Sequence, residues 1–272
     1  LSFQAAARRA WGSDHRKGDL PPGRRFSPAL PVLAAALFLA VSLRAGPPFF
    51  TDDPETIAFR HWEFYVASAQ TGTALDYSGT APHFEVNYGF VPGTMVHLIV
   101  GAGFDLPRHG RVRYGLGDME IGVQHRFLDE TKARPMVGTF PLIVVPTGSS
   151  RSGLGSGRLQ AFFPLWVQKS WGPWTTYGGG GFWINPGPGN KDYWWFGWEV
   201  QRDLSRSVTL GGEVFAGTPS GEGEPGTTGF NIGAMISLGD GAQALLSAGR
   251  DLHGPDTFFC YVAYYLTFGP RR

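Results

Sequence analysis

The chain has 272 residues, with 23 Lys and Arg against 22 Asp and Glu. Balanced charge gives no electrostatic footprint for nucleic acid. Charged residues make up 17%, below the roughly 25% of an ordinary soluble domain, while aromatics reach 14% and glycines number 40. This composition excludes a disordered chain, which would lack the aromatics, and points to an all-β protein with many turns. The one cysteine, Cys260, excludes an intrachain disulfide, and without Cys/His spacing no zinc site is expected. Cys260 lies in an apolar strand and reads as a small buried or lipid-facing filler. No cofactor and no metal are expected.

In chain order, residues 1–28 are basic, polar and without period, and read as a disordered leader or over-long gene start. Residues 29–45 read as a signal-peptide core and cleavage region. Arg24 and Arg25 precede an apolar run from Ala29 to Leu43, which ends in Arg44, Ala45, Gly46 and Pro47. A positive flank, a short apolar run and a small residue at its end describe an export signal. The run is too short to cross a bilayer as a helix, and Pro31 disfavours a long helix. Cleavage is expected after Ala45.

Residues 46–59 form a periplasmic lead-in or small plug. Within it Thr51–Glu55 reads TDDPE. Paired acids suit Ca²⁺, but Asp53 capping a helical turn with Pro54 at its first position is the simpler expectation.

From residue 60 to residue 268 the chain alternates with a period of two. Trp62, Phe64 and Val66 oppose His61 and Glu63; Phe84, Val86 and Tyr88 oppose His83, Glu85 and Asn87. Met119, Ile121 and Val123 oppose Asp118, Glu120, Gln124 and Arg126. Phe163, Leu165 and Val167 oppose Arg158, Gln160 and Gln168, and Trp194, Phe196, Trp198 and Val200 oppose Glu199 and Gln201. Such segments are strands with one apolar and one polar face.

Seven weaker segments begin at Thr94, Arg134, Trp174, Val208, Thr228, Gln243 and Thr257, giving about twelve strands of membrane-crossing length. The connections alternate. Long ones at Thr71–Ala81, Asp105–Leu116, Pro146–Gly157, Asn185–Asp192 and Thr218–Thr227 interleave with short ones such as Val91–Gly93 and Gly239–Ala242. Outer-membrane barrels have this rhythm of short periplasmic turns and longer outer loops. The expectation is a transmembrane antiparallel up-and-down β-barrel, because in hydrocarbon every backbone polar group must be paired and only a closed sheet achieves that. Residues 269–272 form a short tail. The expected location is the outer membrane of a Gram-negative bacterium.

On this reading the lumen is lined by Glu63, Glu85, Asp118, Glu120, Gln124, Arg126, Arg158, Gln160, Glu199, Gln201 and Glu213. The set mixes both signs, as a selective channel or simply a filled narrow barrel would require. Trp171, Trp174, Trp183, Tyr193, Trp194 and Trp195 gather near strand ends and are expected as interface aromatics.

Gly148–Gly157 (GSSRSGLGSG) superficially suggests a phosphate cradle, but lacks the Gly-Lys-Ser/Thr ending and reads as an outer loop. Gly178–Gly181 suggests either close approach of a ligand or room for the bulky neighbouring strand. None of the seven histidines stands in a His-x-Ser pattern and no Gly-x-Ser-x-Gly elbow occurs, so no catalytic residues are expected.

The segments PPFFTDDPETIAFRHWEFYVASA, VNYGFVPG, LGDMEIGVQHRF, PMVGTFPLIVVPTG, YGGGGFWINPG, LGGEVF and the closing YYLTF resemble the bacterial outer-membrane family described as "MetA-pathway of phenol degradation". The resemblance covers nearly all of Gly46–Phe268. It implies a barrel with a transport function, for aromatic or other hydrophobic small molecules. The partners expected are the lipid bilayer, the barrel-assembly machinery during biogenesis and small hydrophobic solutes. The leading functional expectation is a passive channel or uptake protein. A structural or partner-binding barrel, and a barrel-embedded hydrolase, are the alternatives.

Overall fold

A computed structural model describes residues 47–73, 76–255 and 257–270. The leader, the signal-peptide region and the last two residues lie outside the described residues.

The chain forms one antiparallel sheet that closes on itself. Its segments are β1 (Trp62–Gly72), β2 (Asp76–Val91), β3 (Thr94–Pro107), β4 (Arg113–Leu116), β5 (Met119–Leu128), β6 (Met136–Thr139), β7 (Leu142–Val145), β8 (Gln160–Trp171), β9 (Trp174–Ile184), β10 (Tyr193–Asp203), β11 (Val208–Gly217), β12 (Thr227–Gly239), β13 (Ala242–His253) and β14 (Phe258–Phe268). β4 and β5 are two parts of one barrel strand, broken at Gly117–Asp118. β6 and β7 are two parts of another, broken at Phe140–Pro141, where proline has no N–H for the ladder. The result is a closed twelve-stranded barrel. β1 closes on β14 over its full length, from Trp62 opposite Phe268 to Gly72 opposite Phe258.

Alternation fixes which side chains meet lipid. Phe84, Leu98, Ile121, Leu165, Val200, Ile232 and Val262 all stand exposed on the outside, although each is large and apolar. In water such a surface would be strongly unfavourable; around a closed cylinder it is the surface a bilayer requires. Cys260 lies on this outward face of β14, half-buried and unbonded to another sulfur. No described helix is long and apolar enough to cross a membrane, so crossing rests with the strands.

Gly178 and Gly180 on β9 give up their outward side chains to β10. A Cβ on either would strike the ring of Trp198 or Phe196. The glycine run is therefore room for large neighbours, as the sequence suggested.

One end of the barrel is closed by tight turns. Asp240 and Gly241 both have positive φ (49° and 78°), the geometry a two-residue hairpin turn demands and the reason an Asp-Gly pair serves there. At the other end two expected long loops are mostly strand. β2 runs 16 residues and β3 runs 14, so Thr71–Ala81 shrinks to a short connection, and β4 fills part of Asp105–Leu116. The sequence hid this because Ser78, Gly79 and Thr80 read as turn residues, and Pro82 sits at a register shift inside β2, where a missing N–H is tolerated.

Candidate functional site: a strapped lumen

The described residues before β1 do not stay outside the barrel. They enter the lumen as an extended strap held by side chains of the inner wall. Glu213 on β11 accepts the backbone N–H groups of Phe50 and Thr51, each at 2.7 Å. Asn231 on β12 supports the same carboxylate at 2.9 Å. The Pro48 carbonyl accepts from the Ser247 hydroxyl at 2.6 Å. Farther along, the Gln124 amide donates to the Asp53 carbonyl, and Gln168 donates to the Glu55 carboxylate at 3.3 Å. Hydrogen bonds to a charged acceptor are about twice as strong as neutral ones, so Glu213 is the principal anchor.

Packing completes the seat. Phe50 meets Phe215 and Phe259 at 5.0 and 4.6 Å between ring centres. Glycines of the wall leave room for the strap. A Cβ on Gly233 would lie 2.9 Å from the Phe49 ring, and one on Gly138 would lie 2.9 Å from Pro54. A Cβ on Gly197 would collide with Thr51. Sequence reasoning missed this track, because nothing in the strands records what lies across the lumen.

The helical turn expected at Asp53 and Pro54 does not form. The Asp53 carboxylate instead accepts the N–H of Glu55 at 2.5 Å, a local Asx turn in extended chain. The Phe50 and Thr51 N–H groups and the Pro48 and Asp53 carbonyls are taken up by the wall, leaving no repeating local pattern to nucleate a helix.

Most of the expected lumen set points inward. Glu63, Glu85, Asp118, Glu120, Gln124, Glu199, Gln201 and Glu213 are all buried, and Gln160 is half-buried. Asp118, however, holds a loop: its two oxygens accept the N–H groups of Gly148 and Ser156 at 2.9 and 2.6 Å. That fixes Gly148–Gly157 as a folded loop containing one 3-10 turn, Ser150–Ser152.

The two arginines do not join the set. Arg158 precedes β8 and is exposed, and Arg126 is half-buried at the turn end, paired with Asp129 at 2.8 Å. The buried charges among the described residues are therefore carboxylates and two histidines, without Lys or Arg. The expected mixture of signs gives way to an acidic interior. Arg126 stands at the end of β5 and Arg158 before β8 begins, where alternation no longer decides burial.

Three of the buried carboxylates, Glu63, Glu85 and Glu120, stand close together on β1, β2 and β5. Glu63 accepts from the Tyr265 hydroxyl at 3.0 Å and from Asn87 at 3.3 Å. Asn87 also donates to Glu85 at 2.9 Å. His97 bridges Asn87 Oδ1 at 2.7 Å and Glu120 at 3.2 Å. Across the lumen the wall is aromatic. Trp183 stacks on Phe162 at 4.8 Å and on Tyr193 at 6.0 Å, while Trp195 stands near Trp166 and Phe215.

These contacts correct the interface expectation. Trp171, Trp174 and Trp194 are exposed on the outside, but Trp183, Tyr193 and Trp195 are buried within the barrel. The signal that could have found this is parity: Tyr193 and Trp195 share the phase of Glu199. Their clustering near a loop masked it. Between strap and walls lies a cavity of about 110 Å³, lined by Glu63, Glu85, Glu120 and His97 together with Phe140, Phe162 and Trp166.

No protein-family model matches the sequence, and no curated protein matches it by sequence. Solved structures do match in three dimensions. The COG4313 outer membrane channel from Pseudomonas putida F1 superposes with a TM-score of 0.70 at 14% identity, covering 83% of this chain and 100% of that one. The KdgM porin in complex with disordered oligogalacturonate gives 0.52 at 7% identity over 75% and 99%. The NanC porin gives 0.51 at 7% identity over 76% and 100%. With its lipid-facing exterior, the chain thus has the fold of the outer-membrane channels and porins of Gram-negative bacteria.

Proposed function

We propose that this chain is an outer-membrane channel for small hydrophobic or aromatic molecules, with the strap as its constriction. One observation carries the reading. The strap crosses a lumen walled by aromatic rings, yet it makes no strand pairing with the wall and is held by a handful of side chains. A segment so held can be displaced without breaking the barrel, whose ladder is closed independently. The aromatic half of the wall offers stacking surface to a flat apolar solute, worth about 0.5–1.5 kcal/mol per ring pair beyond burial.

The resemblance to the "MetA-pathway of phenol degradation" family supports the same solute class, and the structural likeness to channels supports passage as the task. The bilayer and, during biogenesis, the assembly machinery are the partners this reading requires. Swelling of liposomes containing the full chain tests it. Phenol-sized neutral solutes are expected to enter faster than sugars of similar mass; entry of no solute would refute the channel.

A further inference from the structure

We propose that the outer mouth of the barrel holds an anion-binding vestibule for small aromatic carboxylates. The proposal rests on the lumen being the solute path and names a chemical group that its entrance selects.

The vestibule stands at the end away from the tight turns, where β2 begins at Asp76 and β3 ends at Pro107. Four residues lie side by side there across four strands: Thr71 pairs with Ser78, Ser78 with Asp105, and Asp105 with Arg113. Thr71 and Ser78 are buried, with their hydroxyls 3.1 Å apart, so the row faces inward. Asp105 accepts a hydrogen bond from Arg113 Nη2. The Gly148–Gly157 loop, already gripped by Asp118, supplies a second wall. Its Leu154 is buried against β4, where a Cβ on Gly115 would lie 3.2 Å from Leu154 Cδ1. Gly153 ends the 3-10 turn at φ 67°, and a Cβ on it would stand 3.5 Å from Arg113 Nη1. The turn thus carries Arg151 to a cavity of about 630 Å³ that Arg111 and Arg113 also line.

The charges on this lining are unequal. Among the described residues that form it, three arginines and His109 face two aspartates, Asp76 and Asp105. Asp105 is engaged by Arg113. Arg111 and Arg151 make neither an ion pair nor a hydrogen bond with any described residue. An arginine fork takes a carboxylate through two parallel N–H···O bonds, and it keeps its charge at physiological pH. A concave mouth with an excess of one sign concentrates counterions ahead of entry. The volume falls inside the range of roughly 300–1,000 Å³ of small-molecule sites, which leaves room for a ring beside the acid group. The stack of Trp183 on Phe162 and Tyr193 belongs to the same end of the barrel. Phe162 and Tyr193 stand near the starts of β8 and β10, and Trp183 near the end of β9. A ring-bearing acid entering here therefore has stacking surface along its way in.

Isothermal titration calorimetry on the full chain in non-ionic detergent tests this with benzoate, benzyl alcohol and acetate. Benzyl alcohol keeps the ring without the charge, and acetate keeps the charge without the ring. Saturable benzoate binding, at least about tenfold tighter than either of the others, is expected. Arg111→Gln and Arg151→Gln, both at exposed side chains, should each weaken benzoate about tenfold and leave benzyl alcohol unchanged. Arg134→Gln removes the same charge from the turn between β5 and β6, at the opposite end, and should leave benzoate unchanged. No saturable benzoate binding, benzyl alcohol or acetate binding as tightly as benzoate, or an equal loss in Arg134→Gln would overturn the proposal. Because the readout is binding, a chain that takes benzoate but passes no solute would sink the channel reading alone. A chain that passes neutral solutes without binding benzoate would sink only the vestibule.

Discussion

The two halves of the inner wall differ as sharply as their outer faces agree. Along β1–β5 the interior carries Glu63, Glu85, Asn87, His97 and Glu120, joined by hydrogen bonds, and Gln124, which donates to the strap. Along β8–β11 it carries Phe162, Trp166, Tyr177, Trp183, Tyr193, Trp195 and Phe215, interrupted by Glu199, Gln201 and Glu213. Outside, both halves are apolar. The bilayer constrains only the exterior, since lipid penalises any exposed charge. The interior is free to divide itself between an acidic wall and an aromatic one, with the strap threaded between them.

This comparison can be broken by substitutions on each surface. The largest effect is expected inside the aromatic half. Trp183→Ala removes a ring packed on both Phe162 and Tyr193 and should cost about 3–5 kcal/mol, measured by denaturant unfolding from vesicles. Trp194→Ala, on the outward face of the neighbouring strand, should cost much less. Equal losses would mean that the two tryptophans do not face opposite ways.

Next comes the lipid face. Ile232→Arg places a charge near mid-strand on the outside and should destabilise by about 2–4 kcal/mol, read in the same unfolding experiment. A loss near zero would place Ile232 outside the hydrocarbon.

The strap's anchors follow. Glu213→Ala leaves the Phe50 and Thr51 N–H groups without their charged acceptor and should weaken docking by about 1.5–3 kcal/mol. Thiol labelling of a Thr51→Cys reporter, in a Cys260→Ser background, should accelerate accordingly. Gly197→Ala should loosen the same segment by about 1–3 kcal/mol, because its Cβ collides with Thr51. Unchanged labelling in both would show that the strap is held elsewhere.

How much of this was legible in the sequence follows from what each feature depends on. The strand phase depends on local alternation, so β9 and β11 were placed to the residue at Trp174–Ile184 and Val208–Gly217. Glu63, Glu120, Glu199 and Glu213 were assigned the inner face for the same reason. Where phase competes with a strand end it failed, as at Arg126 and Arg158. Where a cluster near a loop competes with phase, as at Trp183, Tyr193 and Trp195, the sequence suggests a membrane girdle although the rings are buried inside the barrel. The strap was the least legible element. Phe49, Phe50 and Thr51 gain their meaning from Glu213, more than 160 residues away in sequence, and no local period encodes that meeting.

The measurement that bears most directly on the strapped barrel is single-channel conductance in a planar bilayer, comparing the full chain with one lacking residues 47–59. The strapped lumen predicts a small, intermittent current for the full chain and a larger, steady one for the shortened chain. Indistinguishable currents from the two proteins would contradict it.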